Sequence, residues 1–215
     1  MKKIDVNSWK GKKHYEWFKK YPAHYYGVTS RLDITKLVNL SKEKKYSFFI
    51  CMLYFVVKGL NEVEEMRMRI IDDEPFIFDI CHPAYAVMTE SGVYDNCEND
   101  YYDDFEKFYS VTKESISTCK KAFNEEKSYN DLTRFDQFFI TCLPWIDFTS
   151  LTHPMINDAL KSIPRVCFGK YVLENGKYMI ALNIQVTHAL VDGYPLSQAF
   201  LRIQKLLDEC NLYIK

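Results

Sequence analysis

The chain has 215 residues, 47% of them hydrophobic, enough to bury a substantial core and suited to one domain over 1–215. Lys and Arg total 28 against 29 Asp and Glu, which leaves no basic stripe and argues against nucleic acid as a partner. The seven cysteines are scattered and never spaced as C-x-x-C, so neither a zinc site nor a disulfide framework is indicated.

The polar opening Met1-Lys2-Lys3-Ile4-Asp5 contains no apolar stretch of signal-peptide length. No later run reaches the roughly 18 apolar residues of a membrane span. A cytoplasmic protein that does not enter a membrane is therefore expected. Residues 25–32, aromatic and β-branched, predict a strand ending at Asp33, which is placed to cap a short helix through Leu40. Residues 48–60 are apolar nearly all round and predict a buried helix. Three short strand patterns follow at 66–71, 75–80 and 84–89, separated by Asp, Glu, Pro and His, and are expected to form a meander.

Phe105, Phe108, Thr112, Ile116 and Cys119 recur at helical spacing, predicting an amphipathic helix within 101–125. Residues 138–143 predict a buried strand. Two further strand patterns, 166–173 and 178–187, flank Glu174-Asn175-Gly176-Lys177, and Asn-Gly between strand patterns is a strong hairpin signal. Leu196, Ala199, Phe200, Ile203 and Leu207 predict a C-terminal amphipathic helix. Strands and helices mix without strict alternation, so the expected class is α/β in the broad sense: a two-layer α+β sandwich with a mixed, mostly antiparallel sheet and helices on one face.

The last predicted strand runs into Thr187-His188-Ala189-Leu190-Val191-Asp192-Gly193. A histidine at a strand end, followed four residues later by Asp-Gly and then a helix, offers an imidazole that can take a proton from a hydroxyl at neutral pH.

The pattern H-x-x-x-D-G in this context resembles the coenzyme A-dependent acyltransferases, and among them the chloramphenicol acetyltransferase family. The resemblance extends through Ile4-Asp5-Val6-Asn7-Ser8-Trp9, His14-Tyr15-Glu16, Leu32-Asp33-Ile34-Thr35 and Glu65-Met66-Arg67-Met68. It resumes at Leu143-Pro144-Trp145-Ile146-Asp147-Phe148-Thr149-Ser150 and Gly169-Lys170-Tyr171. It implies His188 as the general base, with its tautomer fixed by a bond from its other ring nitrogen to its own carbonyl. Ser150 is implied as the oxyanion donor, and Asp192 as a support paired with an N-terminal cation at Lys12.

Lys170, Tyr171 and the position of Phe49 are implied as contacts for acetyl-coenzyme A. Trp17, Phe18, His24 and Tyr26 are implied as walls for the acceptor. The family further implies a homotrimer with intersubunit sites, no metal, and direct acetyl transfer to chloramphenicol. The same residues would serve a same-fold acyltransferase with another hydroxyl or amine acceptor, or a trimer that binds a small molecule without turnover. The chain departs from the family pattern at Thr187, where a second histidine is common, at Tyr194-Pro195, at Lys12 for arginine and at Cys167 for threonine. Ser47 and Phe49 replace a lysine and a tyrosine, and Ala23-His24-Tyr25-Tyr26 replaces a smaller Pro-Cys-Gly-Phe stretch.

Overall fold

The computed structural model describes residues 1–121, 134–155 and 162–215. In chain order the elements are β1 (Lys2–Lys3), α1 (Lys12–Phe18), β2 (Tyr25–Asp33), α2 (Thr35–Lys44), α3 (Phe48–Asn61), β3 (Met68–Ile71), β4 (Glu74–Ile77), β5 (His82–Met88) and β6 (Tyr94–Glu98). They continue with α4 (Phe105–Lys121), β7 (Gln137–Leu143), β8 (Arg165–Gly169), β9 (Val172–Glu174), β10 (Lys177–Thr187) and α5 (Gly193–Asp208). The large sheet has the order β2-β10-β8-β7-β5-β6, with β9 added against β10. Among the described residues only the β5–β7 and β7–β8 pairs are parallel, so the sheet is mixed and mostly antiparallel, as expected. No helix among the described residues is long and apolar enough to cross a membrane.

Strand β10 is the centre of the molecule, with alternate residues serving different layers. Ile180, Leu182, Ile184 and Val186 enter the main core, which also takes Leu53, Tyr54 and Val57 of α3, Phe105 and Phe108 of α4 and Ile203 of α5. Gly59 of α3 is where α5 crosses: a Cβ there would lie 2.5 Å from Ile203 Cγ1 and 3.2 Å from its backbone. The intervening residues of β10 are Ala181, packed with Phe148 and Cys167, and the buried polar side chains Asn183, Gln185 and Thr187.

The expected meander is not formed. The left-handed Asp72 and Asp73, at φ 49° and 59°, turn β3 back on β4, and with β1 these make a separate three-stranded sheet. The Asn61 side chain then brackets Cys81, donating to its carbonyl at 2.9 Å and accepting from its N–H at 2.8 Å. That bracket directs β5 into the large sheet. Its neighbour β6 carries Asp95 and Asn96, poor strand formers that hid it from the sequence reading.

At its start, α2 takes Ile34 as the capping residue, while Asp33 stays paired with Met179 in the sheet. Its carboxylate still accepts from Thr35 N and Oγ1 at 3.0 and 2.6 Å. Residues 122–125 of the expected 101–125 helix lie outside the described residues. The Asn175-Gly176 hairpin forms with both residues left-handed. Pairing shifts by one residue between Phe168↔Leu182 and Val172↔Met179, a bulge at Lys170 and Tyr171 that ends β8 early.

Candidate active site

The second strand of the hairpin delivers His188 to a tight turn. Thr187 organises that turn: its carbonyl accepts from Leu190 N at 3.2 Å and Val191 N at 3.0 Å, and its hydroxyl accepts from Ala189 N at 3.4 Å. Across the β2–β10 pair, the His24 carbonyl accepts from His188 N at 2.6 Å, and His24 Nδ1 bonds the Thr187 hydroxyl. His24, implied as an acceptor wall, is thus buried at 4% exposure with its ring engaged at the turn.

The imidazole of His188 is held by aromatic rings. It stacks on Phe18 at 3.9 Å between centroids and 13° between planes, with Tyr26 on it at 4.6 Å and 35°. Nδ1 is buried and has no hydrogen-bond partner among the described residues. The implied bond to its own carbonyl is therefore not seen among the described residues, and the ring lies nearly parallel to Phe18. With Nδ1 enclosed, Nε2 is the nitrogen left to meet a substrate. The Tyr26 hydroxyl is likewise buried without a partner. Burial, then the nearby Asp192 charge, pushes it up to about 12, so it stays protonated. Phe18 and Tyr26 therefore meet His188, whereas Trp17 is 60% exposed and lines an open cleft with Lys10, Lys12, Lys13, Glu16 and Lys20.

Asp192 does not pair with Lys12. Its carboxylate caps α5, accepting from Tyr194 N at 2.9 Å. Lys12 instead donates to Asn7 Oδ1 at 3.0 Å and faces Glu16 at 3.9 Å. A lysine has one ammonium and no fork, and these two acceptors on its own segment lie within its reach.

Ser150 is exposed on the segment after β7, and no hydrogen bond joins it to His188 among the described residues. Its place is set by the polar side chains of β10. Asn183 Nδ2 donates to the Leu151 carbonyl at 3.2 Å, His153 N donates to Gln185 Oε1 at 3.3 Å, and His153 Nε2 meets Asn183 Oδ1 at 3.1 Å. Asn183 uses its amide hydrogens on carbonyl and hydroxyl oxygens, so Nε2 of His153 is the donor. Burial holds that imidazole below its ordinary pKa, against the pull of the Asn183 bond. None of these three residues was singled out from the sequence. For Asn183 and Gln185 the signal was there in the period of two, since they alternate with the apolar residues of β10; His153, off that strand, carried none.

Lys170 and Tyr171 sit on the bulge. Gly169 lets the chain approach the Pro144–Phe148 segment, since a Cβ there would lie 2.9 Å from the Ile146 carbonyl, and Lys170 N donates to that carbonyl at 2.8 Å. The Lys170 side chain is exposed. Tyr171 packs edge-on to Phe48 at 5.0 Å and Tyr178 at 5.6 Å. Phe49 turns the other way, into the core against Tyr85 and Phe168, each at 5.8 Å. Cys167, at the threonine position, is fully buried beside Phe148 and Ala181.

Residues 1–204 match the family described as chloramphenicol acetyltransferase. A chloramphenicol acetyltransferase of Bacillus pumilus is 30% identical over 99% of this chain and 96% of its own length. Chloramphenicol acetyltransferase 3 of Escherichia coli is 28% identical over 99% and 98%. A solved chloramphenicol acetyltransferase structure superposes with a TM-score of 0.85 at 22% identity, covering 96% of this chain and all of that one. From its N-terminal segment to α5, the chain belongs to the chloramphenicol acetyltransferase family.

Proposed function

We propose that this protein transfers the acetyl group of acetyl-coenzyme A to a hydroxyl of chloramphenicol, with His188 as general base and no metal. The observation that carries the reading is His188 itself. It is presented on a turn at the end of β10, ring-packed on Phe18 and Tyr26, with Nε2 as the available nitrogen, in a chain of this family. Nε2 takes the hydroxyl proton as the oxygen attacks the thioester carbon. The carbonyl π pair moves to oxygen, where the Ser150 hydroxyl donates a hydrogen bond. The intermediate then collapses, the C–S bond breaks, and the leaving thiolate recovers the proton from Nε2. A preorganised donor at such an oxyanion supplies about 2.7 kcal/mol or more of transition-state stabilisation.

Lys170 and Tyr171 are the residues we assign to the coenzyme: an exposed ammonium for a phosphate, and a tyrosine already fixed by Phe48 and Tyr178 to present its ring. Phe49 lies in the core behind them and acts by packing. Phe18, Tyr26 and Trp17 are assigned to the acceptor. The working unit is a single domain assembled as a cytoplasmic homotrimer, with each site completed across a subunit boundary. Two observations favour that assembly: Ser150 makes no bond to His188 within one chain, and Trp145 and Ile146, close by in sequence, expose 67% and 54% of their surface. The seven scattered cysteines, never spaced as C-x-x-C, suit a reducing compartment. One observation favours an acceptor other than chloramphenicol, the buried and unpaired Tyr26 hydroxyl, which sits where the family has phenylalanine.

Release of free thiol from acetyl-coenzyme A tests the reading. It should require chloramphenicol, vanish in His188→Ala, and fall about a hundredfold in Ser150→Ala. Undiminished release in either variant would overturn the mechanism, and no release from the parent would remove chloramphenicol as the acceptor.

A further inference from the structure

We propose that His24 is a positioning residue for catalysis, which with Thr187 forms a clasp that aims His188; this rests on the acetyl-transfer reading above. Among the described residues the imidazole of His188 has no hydrogen bond on Nδ1, so its direction comes from ring packing and from the backbone that carries it. That backbone is the 187–191 turn. Four bonds that shape the turn converge on Thr187 or on His24: two N–H groups on the Thr187 carbonyl, one on its hydroxyl, and His188 N on the His24 carbonyl.

The His24 ring closes the arrangement by bonding the same hydroxyl. Ala189 N–H donates into Oγ1 from one side and His24 Nδ1 bonds it from the other, so the hydroxyl joins the turn's backbone to the His24 ring. Both side chains are buried, at 4% for His24 and 1% for Thr187, so water does not compete for the bond. A hydroxyl left unpaired there would carry a desolvation cost, which makes the pair interdependent. The ion pair that the family pattern implies for this strand end is not made here, since Asp192 caps α5 and Lys12 bonds Asn7. The clasp occupies the structural role that the missing tether leaves open. Because a displacement of about 1 Å in a reacting group can cost on the order of a hundredfold in rate, holding this turn is a catalytic requirement and not only a folding one.

The test uses the full chain with four changes: Thr187→Val, which keeps shape and removes the hydroxyl, His24→Leu, His24→Asn, and the Thr187→Val/His24→Leu double variant. Turnover of chloramphenicol and hydrogen–deuterium exchange of the peptide over residues 186–192 are both read. Thr187→Val and His24→Leu should each lower kcat about tenfold with KM for chloramphenicol within about twofold. The double variant should be no slower than the slower single, since both remove one interaction. His24→Asn, whose amide stands where Nδ1 stood, should recover most of the kcat. Exchange should quicken in the two damaging single variants and not in His24→Asn.

Unchanged kcat, additive losses in the double variant, or a raised KM at constant kcat would overturn the proposal, the last by making His24 a wall of the acceptor pocket. Should the parent release no thiol with chloramphenicol, chloramphenicol falls as the acceptor and the clasp does not. The exchange comparison then decides the clasp, and equal exchange in parent and Thr187→Val sinks it.

Discussion

Tyr26 shows how a single side chain can matter for what it leaves unpaired. Its ring rests on His188 and its hydroxyl is buried without a partner among the described residues, so the unliganded protein bears the desolvation of that group, about 1 to 3 kcal/mol. Tyr26→Phe removes the oxygen and keeps the ring. Its melting temperature should be equal to or above that of the parent, and a fall of several degrees would mean that the hydroxyl is satisfied in the assembled protein. In turnover, a raised KM for the acceptor in the same variant would identify the hydroxyl as a contact to substrate. The identity of His188 was legible in the sequence, because strand, histidine, Asp-Gly and helix follow one another along the chain. The surroundings that orient it were not. His24 and Tyr26 reach it through the β2–β10 register and Phe18 from the end of α1, and no local pattern marks which ring of an aromatic-rich chain will stack on which. Lys12 illustrates the converse error: a charge placed by family pattern found nearer acceptors on its own segment.

At the scale of the element, α5 begins on the residue that the motif placed beside the chemistry. Asp192 accepts from Tyr194 N, and an N-cap of this kind contributes about 1 kcal/mol. Asparagine caps as well as aspartate does, whereas alanine does not. Asp192→Asn should therefore melt within about a degree of the parent, and Asp192→Ala should lose about 1 kcal/mol in chemical denaturation. A large loss in both would instead point to the carboxylate charge as the stabilising feature, and so to an ion pair formed on assembly.

Most elements were legible because their apolar residues recur at helical or strand period, as in α4, β10 and α5. The meander failed for a different reason. Three strand patterns in a row do not say which sheet each joins, and that choice was made by the Asp72-Asp73 turn and by the Asn61 bracket on Cys81, a contact between residues far apart in sequence. β6 escaped notice because its stability comes from pairing with β5 rather than from the propensity of Asp95 and Asn96.

At the scale of the whole molecule, the decisive question is how two groups of one mechanism come together. His188 sits at the end of β10, whereas Ser150 is held over the other layer of that strand by Asn183, Gln185 and His153, with no bond between the two. If each site takes its histidine from one subunit and its serine from the next, the two inactive single variants complement each other. His188→Ala subunits retain Ser150, and Ser150→Ala subunits retain His188. Unfolding an equal mixture and refolding it together would assemble trimers at random, and a boundary joining an intact histidine to an intact serine arises at about one site in four. The mixture should recover about a quarter of the parent's thiol release per site, while each variant refolded alone remains near its own low rate. Simply combining the two folded proteins should restore nothing until subunits exchange. Were both residues of a site supplied by one chain, refolding together would give only the average of the two variants, and the site would have to be completed by movement of the 144–153 segment toward His188 within the chain.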